Sequence, residues 1–142
     1  MRVIIDADPS RFIFTRMDNN FTLSIKTFVY VVNQKTKLLP IAIGEEIPND
    51  RIFPDVWRID IFDSNYQLPL DANWTRDDVI VLFLEYGLGQ SLASTRFPRP
   101  RPVVFILGAD RLKNQLKNPR DQLEKLVKRS GASIVVFDKI EI

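Results

Sequence analysis

The sequence predicts an α/β fold with a mixed sheet, in which an N-terminal antiparallel meander is followed by a strand–helix–strand unit. Two short apolar runs, VVFIL at Val103–Leu107 and SIVVF at Ser133–Phe137, flank an amphipathic helical stretch that stops at Gly131. Continuous β-branched and aromatic runs of this kind suit strands covered on both faces, as in a parallel sheet. Right-handed crossover then makes the two runs parallel to each other and to the first strand. The first 43 residues read differently, as short strands separated by tight turns. A third signal is the helix that begins after Thr75, apolar around most of its circumference and therefore buried.

In chain order, Arg2–Asp6 is a strand and Asp8-Pro9-Ser10 a turn, since proline fixes φ and aspartate accepts local backbone hydrogen bonds. Arg11–Met17 follows, with Phe12, Phe14 and Arg16 on one face by the two-residue period. Asp18-Asn19-Asn20 is a hairpin turn, because Asn and Asp tolerate positive φ. Phe21–Ile25 runs back, Thr27–Val32 continues it or forms its own strand, and Lys37–Ile43 completes the meander despite Pro40. Between Gly44 and Ala72 prolines interrupt the pattern, and only Val56–Phe62 alternates as a strand should.

Thr75 and Asp78 have capping-box spacing, and Asp77 and Asp78 suit the positive end of the helix dipole. Leu82, Phe83 and Tyr86 are expected to be largely buried. Gly87 and Gly89 weaken the last turns by about 1 kcal/mol each, which points to close packing there. Pro98, Pro100 and Pro102 force an extended entry into Val103–Leu107. Leu112 and Leu116 suggest a short helical turn, and Asn118-Pro119 starts the last helix, with Leu123, Leu126 and Val127 inward.

Composition narrows the function classes. The 142 residues suit a single domain over 1–142 with one core. There is no cysteine, so no thiol nucleophile or thiolate metal site, and no histidine, the commonest general base and metal ligand. The net charge of +2 is too small to argue by itself for nucleic acid or an anionic membrane, and nucleic acid is not the expected partner. No run approaches the roughly 18 apolar residues of a transmembrane span, and the N-terminal apolar stretch is too short for a signal peptide, so a soluble cytoplasmic protein is expected.

Three groups of residues are candidates for chemistry. Asp6 and Asp8 follow the first strand, where ribonuclease-H-like folds bind metal; carboxylates suit Mg²⁺, while the plainer reading is an Asx turn. Arg96, Arg99 and Arg101 alternate with prolines and suit phosphates or a peptide-binding domain, against the plainer reading of a stiff solvated connector. Gly108-Ala109-Asp110 is a strand-to-helix turn with one glycine, too few for a phosphate loop.

The order of motifs resembles the N-terminal portion of bacterial actins of the MreB type. The matching stretches are Val3-Ile4-Ile5-Asp6, Ala42-Ile43-Gly44-Glu45-Glu46, Pro100-Arg101-Pro102-Val103-Val104-Phe105-Ile106 and Gly131-Ala132. The resemblance implies an actin-like, ribonuclease-H-like fold and covers half of such an actin. It also implies a degenerate half. Where the family's first phosphate loop has D-x-G-T, this chain has Asp6-Ala7-Asp8-Pro9. A carboxylate there repels phosphate, and proline removes a backbone donor. Lys139 stands nearest the position of the family's hydrolysis glutamate, and the second phosphate loop and adenosine pocket have no counterpart. No cofactor is therefore expected, and no ATP binding in the family's manner.

Two functional classes follow. The favoured one is a non-catalytic protein-interaction or assembly module of cytoskeletal type, acting through a protein partner or as a homo-oligomer. Phe53, Trp57, Phe62, Tyr66 and Trp74 of the middle segment would supply the interface, since aromatics are enriched there. The alternative is a metal-dependent nuclease or phosphotransferase using Asp6, Asp8 and Asp138, which requires these carboxylates to share a cation site.

Overall fold

The computed structural model describes residues 1–34, 37–48, 54–63, 74–93 and 101–140. The elements in order are β1 (Arg2–Ala7), β2 (Arg11–Arg16), β3 (Thr22–Lys26), β4 (Phe28–Gln34), β5 (Lys37–Ile43), β6 (Val56–Asp60), α1 (Arg76–Ser91), β7 (Val103–Leu107), α2 (Pro119–Arg129) and β8 (Ile134–Phe137). They form a five-stranded mixed sheet, β3-β2-β1-β7-β8, and a three-stranded antiparallel sheet, β5-β4-β6. β1 pairs antiparallel with β2 and parallel with β7, and β7 pairs parallel with β8, as the crossover rule requires.

The hairpins form where turn chemistry places them. Asp8 Oδ2 accepts the Ser10 N–H at 3.0 Å, an Asx turn joining β1 to β2. Asn20 takes φ 57°, and Asn19 Oδ1 accepts the Phe21 N–H at 3.0 Å, which closes the β2–β3 turn. The N-terminal strands differ from the expected meander in one respect: they split into two sheets. The division falls at Thr27, which is buried. Its N–H donates to the Ser10 carbonyl (3.2 Å), and its carbonyl accepts the Ile61 N–H (3.0 Å). One residue thus bonds the β1–β2 turn and the end of the small sheet, so β4 leaves the plane of β3.

In the large sheet Val3, Ile5 and Ala7 of β1 share a face with Phe12 and Phe14 of β2 and with Val104 and Ile106 of β7. All seven are at most 1% exposed, and α1 and α2 cover this face. The same core takes in Val29, Val31, Leu38 and Ile59 of the small sheet. At its centre the Phe12 ring stacks on Phe62 (centroids 5.4 Å, interplanar angle 9°) and meets Phe83 of α1 edge-on (5.4 Å, 86°). Such pairs contribute about 0.5–1.5 kcal/mol each beyond area burial.

The capping box at Thr75 and Asp78 is present in both directions. Phe83 is fully buried, as expected, whereas Leu82 and Tyr86 are half-buried, because α1 turns them away from the sheet. Gly87 lies against Phe14, and a Cβ there would sit 2.2 Å from the ring. In α2, Leu123, Leu126 and Val127 face inward. Asn118 precedes Pro119 as expected, but its side chain makes no cap bond; its N–H donates instead to Gln122 Oε1 at 3.1 Å. β8 is an edge strand and half-exposed, not covered on both faces, with Ile134 55% exposed.

Candidate functional site

The C-terminal ends of the parallel strands β1, β7 and β8 lie along one edge, where open α/β sheets bind ligands. Asp6 is the penultimate residue of β1, opposite Leu107 of β7, and Asp138 follows β8. β7 separates the two strands, so their ends are about 10 Å apart at a spacing of about 4.8 Å per strand.

An arginine occupies each carboxylate along this edge except Asp8. Arg111 Nη1 donates to Asp6 Oδ1 at 2.7 Å and to the Ala7 carbonyl at 3.3 Å. Gly108 makes this possible. It sits at φ 75°, and a Cβ there would fall within 2.8 Å of both Arg111 Nη1 and the Ala7 carbonyl. Arg120, at the start of α2, donates to Asp110 Oδ2 at 3.4 Å and also pairs with Asp138. Hydrogen bonding to Asp110, and then the Asp138 charge, raise the Arg120 pKa further above its ordinary value. Asp8 is held below the usual carboxylate range, first by the Ser10 hydroxyl and then by the Ser10 N–H. Asp138 has positive φ (56°), and its N–H donates to the Ile106 carbonyl at 2.9 Å. Among the described residues no group of three or more acidic side chains is placed to hold a metal ion. Asp6, Asp8 and Asp138 are thus spread over an arginine-laced edge, not gathered around one point.

A cavity of about 440 Å³ opens next to the β1–β2 turn, lined by Ser10, Lys26, Phe28, Glu46, Arg58 and Asp60 among others. Its polar floor is self-satisfied. The Arg58 guanidinium lies 4.0 Å over the Phe28 ring and pairs with Glu46 Oε1 (2.5 Å) and Asp60 Oδ1 (3.3 Å). Tyr30 donates its hydroxyl to Glu46 Oε2 at 2.8 Å. Partial burial works against the Arg58 charge, but Glu46 and Tyr30 outweigh it and raise its pKa. Glu46, in turn, is lowered by the Tyr30 hydroxyl and then by Arg58. Sequence reasoning missed this network; the strand alternation that places Tyr30 opposite Arg58 was its only signal.

The aromatic residues expected at an interface divide. Phe62 is 4% exposed and stacked on Phe12, so it belongs to the core; the expectation for it is corrected by the ring packing. Trp57 is 36% exposed on β6, and Trp74 is half-buried against the core. Phe53 and Tyr66 lie outside the described residues, as do Arg96 and Arg99; Arg101 is exposed at the entry to β7.

No family model matches the chain, and no curated protein matches it. Solved structures do. MreB5 of Spiroplasma citri bound to ADP superposes with a TM-score of 0.64 at 10% identity, over 97% of this chain and 37% of that one. The same protein bound to AMPPNP gives 0.54 at 10% identity, over 97% and 38%. The chain therefore has an actin-like fold and spans well under half the length of these neighbours. Among the described residues no helix is long and apolar enough to cross a membrane.

Proposed function

We propose that this chain is a non-catalytic interaction or assembly module, a degenerate half of an actin-like protein that works through a protein partner or through copies of itself. The observation that carries the reading is the arginine occupancy of the strand ends. Asp6 is bound by Arg111, and Asp110 and Asp138 by Arg120. An incoming phosphate would meet carboxylates, and an incoming cation would have to displace guanidinium groups. Asp8 and Pro9 stand where the resemblance expects glycine and threonine, which supports the same conclusion. A cytoplasmic location fits a module of this kind.

The test is direct. Purified protein is expected to show no Mg²⁺-dependent ATP hydrolysis or nuclease activity, and ATP should not raise its melting temperature. Arg111→Ala, which frees Asp6, should not create turnover. Activity that disappears in Asp6→Asn would overturn the reading in favour of metal-dependent catalysis. Sedimentation velocity over a range of concentrations addresses the assembly half: self-association should appear as a rising sedimentation coefficient.

A further inference from the structure

We infer that the cavity between β5 and α1 takes an arginine side chain of a partner protein, stacked on Tyr86 and paired with Glu45. This rests on the reading that the chain acts through a protein partner, and it names one contact of that surface.

The backbone of β5 builds the cavity. Tyr30 and Val31 of β4 pair with Ala42 and Pro40, so Ile41 is left over as a bulge. A bulge re-aims its side chain, and Ile41 is 48% exposed, near Leu39 at 43%. Pro40, Ile41 and Ile43 line a cavity of about 330 Å³ together with Glu45 and, from α1, the half-buried Tyr86. β5 ends the small sheet, but an edge blunted by proline and a bulge is a poor template for an added strand. A partner therefore reaches this cavity with side chains.

Gly44 fixes the carboxylate in place. It takes φ 69°, and its N–H donates to the Phe28 carbonyl at 2.8 Å. A Cβ there would sit 2.5 Å from Ile25 Cγ2. The chain leaving β5 is thus held against β3 and β4, and Glu45 is the next residue.

Charge selects the occupant. Glu45 and Glu46 are neighbours in sequence but line different cavities. Glu46 already has its cation: Arg58 pairs with it at 2.5 Å while lying 4.0 Å over the Phe28 ring. Lys26 lines that cavity as well. Glu45 has matching surroundings, an aromatic ring and apolar side chains, but it is exposed and has no ion pair among the described residues. It is the one charged side chain among the described residues lining its cavity. Glu85, which precedes Tyr86 on α1, lines the neighbouring cavities and carries the same sign. An arginine meets each part of this site. Its methylene stem lies along apolar surface, and its planar guanidinium stacks on a ring while pairing with a carboxylate. Arg58 makes both contacts within this chain. An anionic ligand would be repelled by Glu45.

The probe is a hexapeptide with one central arginine flanked by leucines, paired with a twin carrying citrulline, which keeps the shape and lacks the charge. Each is titrated into the ¹⁵N-labelled full chain and followed by amide chemical shifts. The arginine peptide should shift Ile41, Glu45 and Tyr86 saturably and bind at least about threefold tighter than its twin. Glu45→Gln should abolish that preference with an unchanged melting temperature, because the side chain is exposed. Tyr86→Leu should weaken the arginine peptide about two- to fivefold, whereas Tyr86→Phe, which keeps the ring, should not. Equal binding of the two peptides, binding of neither, a preference that survives Glu45→Gln, or equal losses in Tyr86→Leu and Tyr86→Phe overturns the proposal. So does a dimer in sedimentation that Glu45→Gln dissolves, since the arginine then belongs to a second copy. Nucleotide turnover would sink the non-catalytic reading alone, and failure of the peptide leaves that reading standing.

Discussion

The two faces of the five-stranded sheet are built from the same kinds of residue and have different fates. Val3, Ile5, Val104 and Ile106 point one way and pack beneath helices; Ile4, Val103, Leu107 and Val136 point the other way, where no helix packs among the described residues, and stay half-buried around a buried Phe105. Composition does not distinguish them. What distinguishes them is the side on which two right-handed connections had to pass. Hydrophobicity therefore says how much surface must be buried, and topology says which surface the two helices cover.

The largest expected effect lies on the helix face. Phe83→Ala should lower stability by about 3–5 kcal/mol, because the ring is enclosed and meets Phe12 edge-on. Urea denaturation checks this, and an unchanged midpoint would break the contrast between the faces. Gly87→Ala should cost about 1–3 kcal/mol despite the better helix propensity of alanine, since the methyl would collide with Phe14. A gain in stability would show that α1 can lift from β2. Thr75→Ala, which removes the α1 cap, should cost about 1 kcal/mol in the same assay.

A pH series sharpens the helix side further. Asp78 is held below its ordinary pKa of 3.8, first by the Thr75 N–H and then by Arg129. A depressed carboxylate contributes stability above its unfolded pKa and loses it as pH falls through the folded value. The stability difference between wild type and Asp78→Ala should therefore be full near neutral pH and shrink below about pH 4. A difference constant down to pH 2 would show that these bonds do not form in solution. The smallest effect belongs to Ile134, which is 55% exposed on the edge strand: Ile134→Ser should change stability by no more than about 0.5 kcal/mol. A loss comparable to that of Phe83→Ala would show the two faces to be equally enclosed.

The elements whose causes are local are legible in the amino-acid order. Alternation placed Phe12, Phe14 and Arg16 on one face of β2, and the structure buries all three. Thr75 with Asp78, Asn118 with Pro119, and the Asp18-Asn19-Asn20 turn marked boundaries that hold. The two apolar runs predicted a parallel pair through the handedness of the crossover. The break of the meander at Thr27, the stacking of Phe62 in the core and the reach of Arg111 to Asp6 across 105 positions emerge only once the chain is folded. Propensity, capping and turn chemistry act over a few residues and leave a readable spacing. An ion pair between distant segments, or a covered face, depends on where the chain returns in space, and no spacing in the sequence records that.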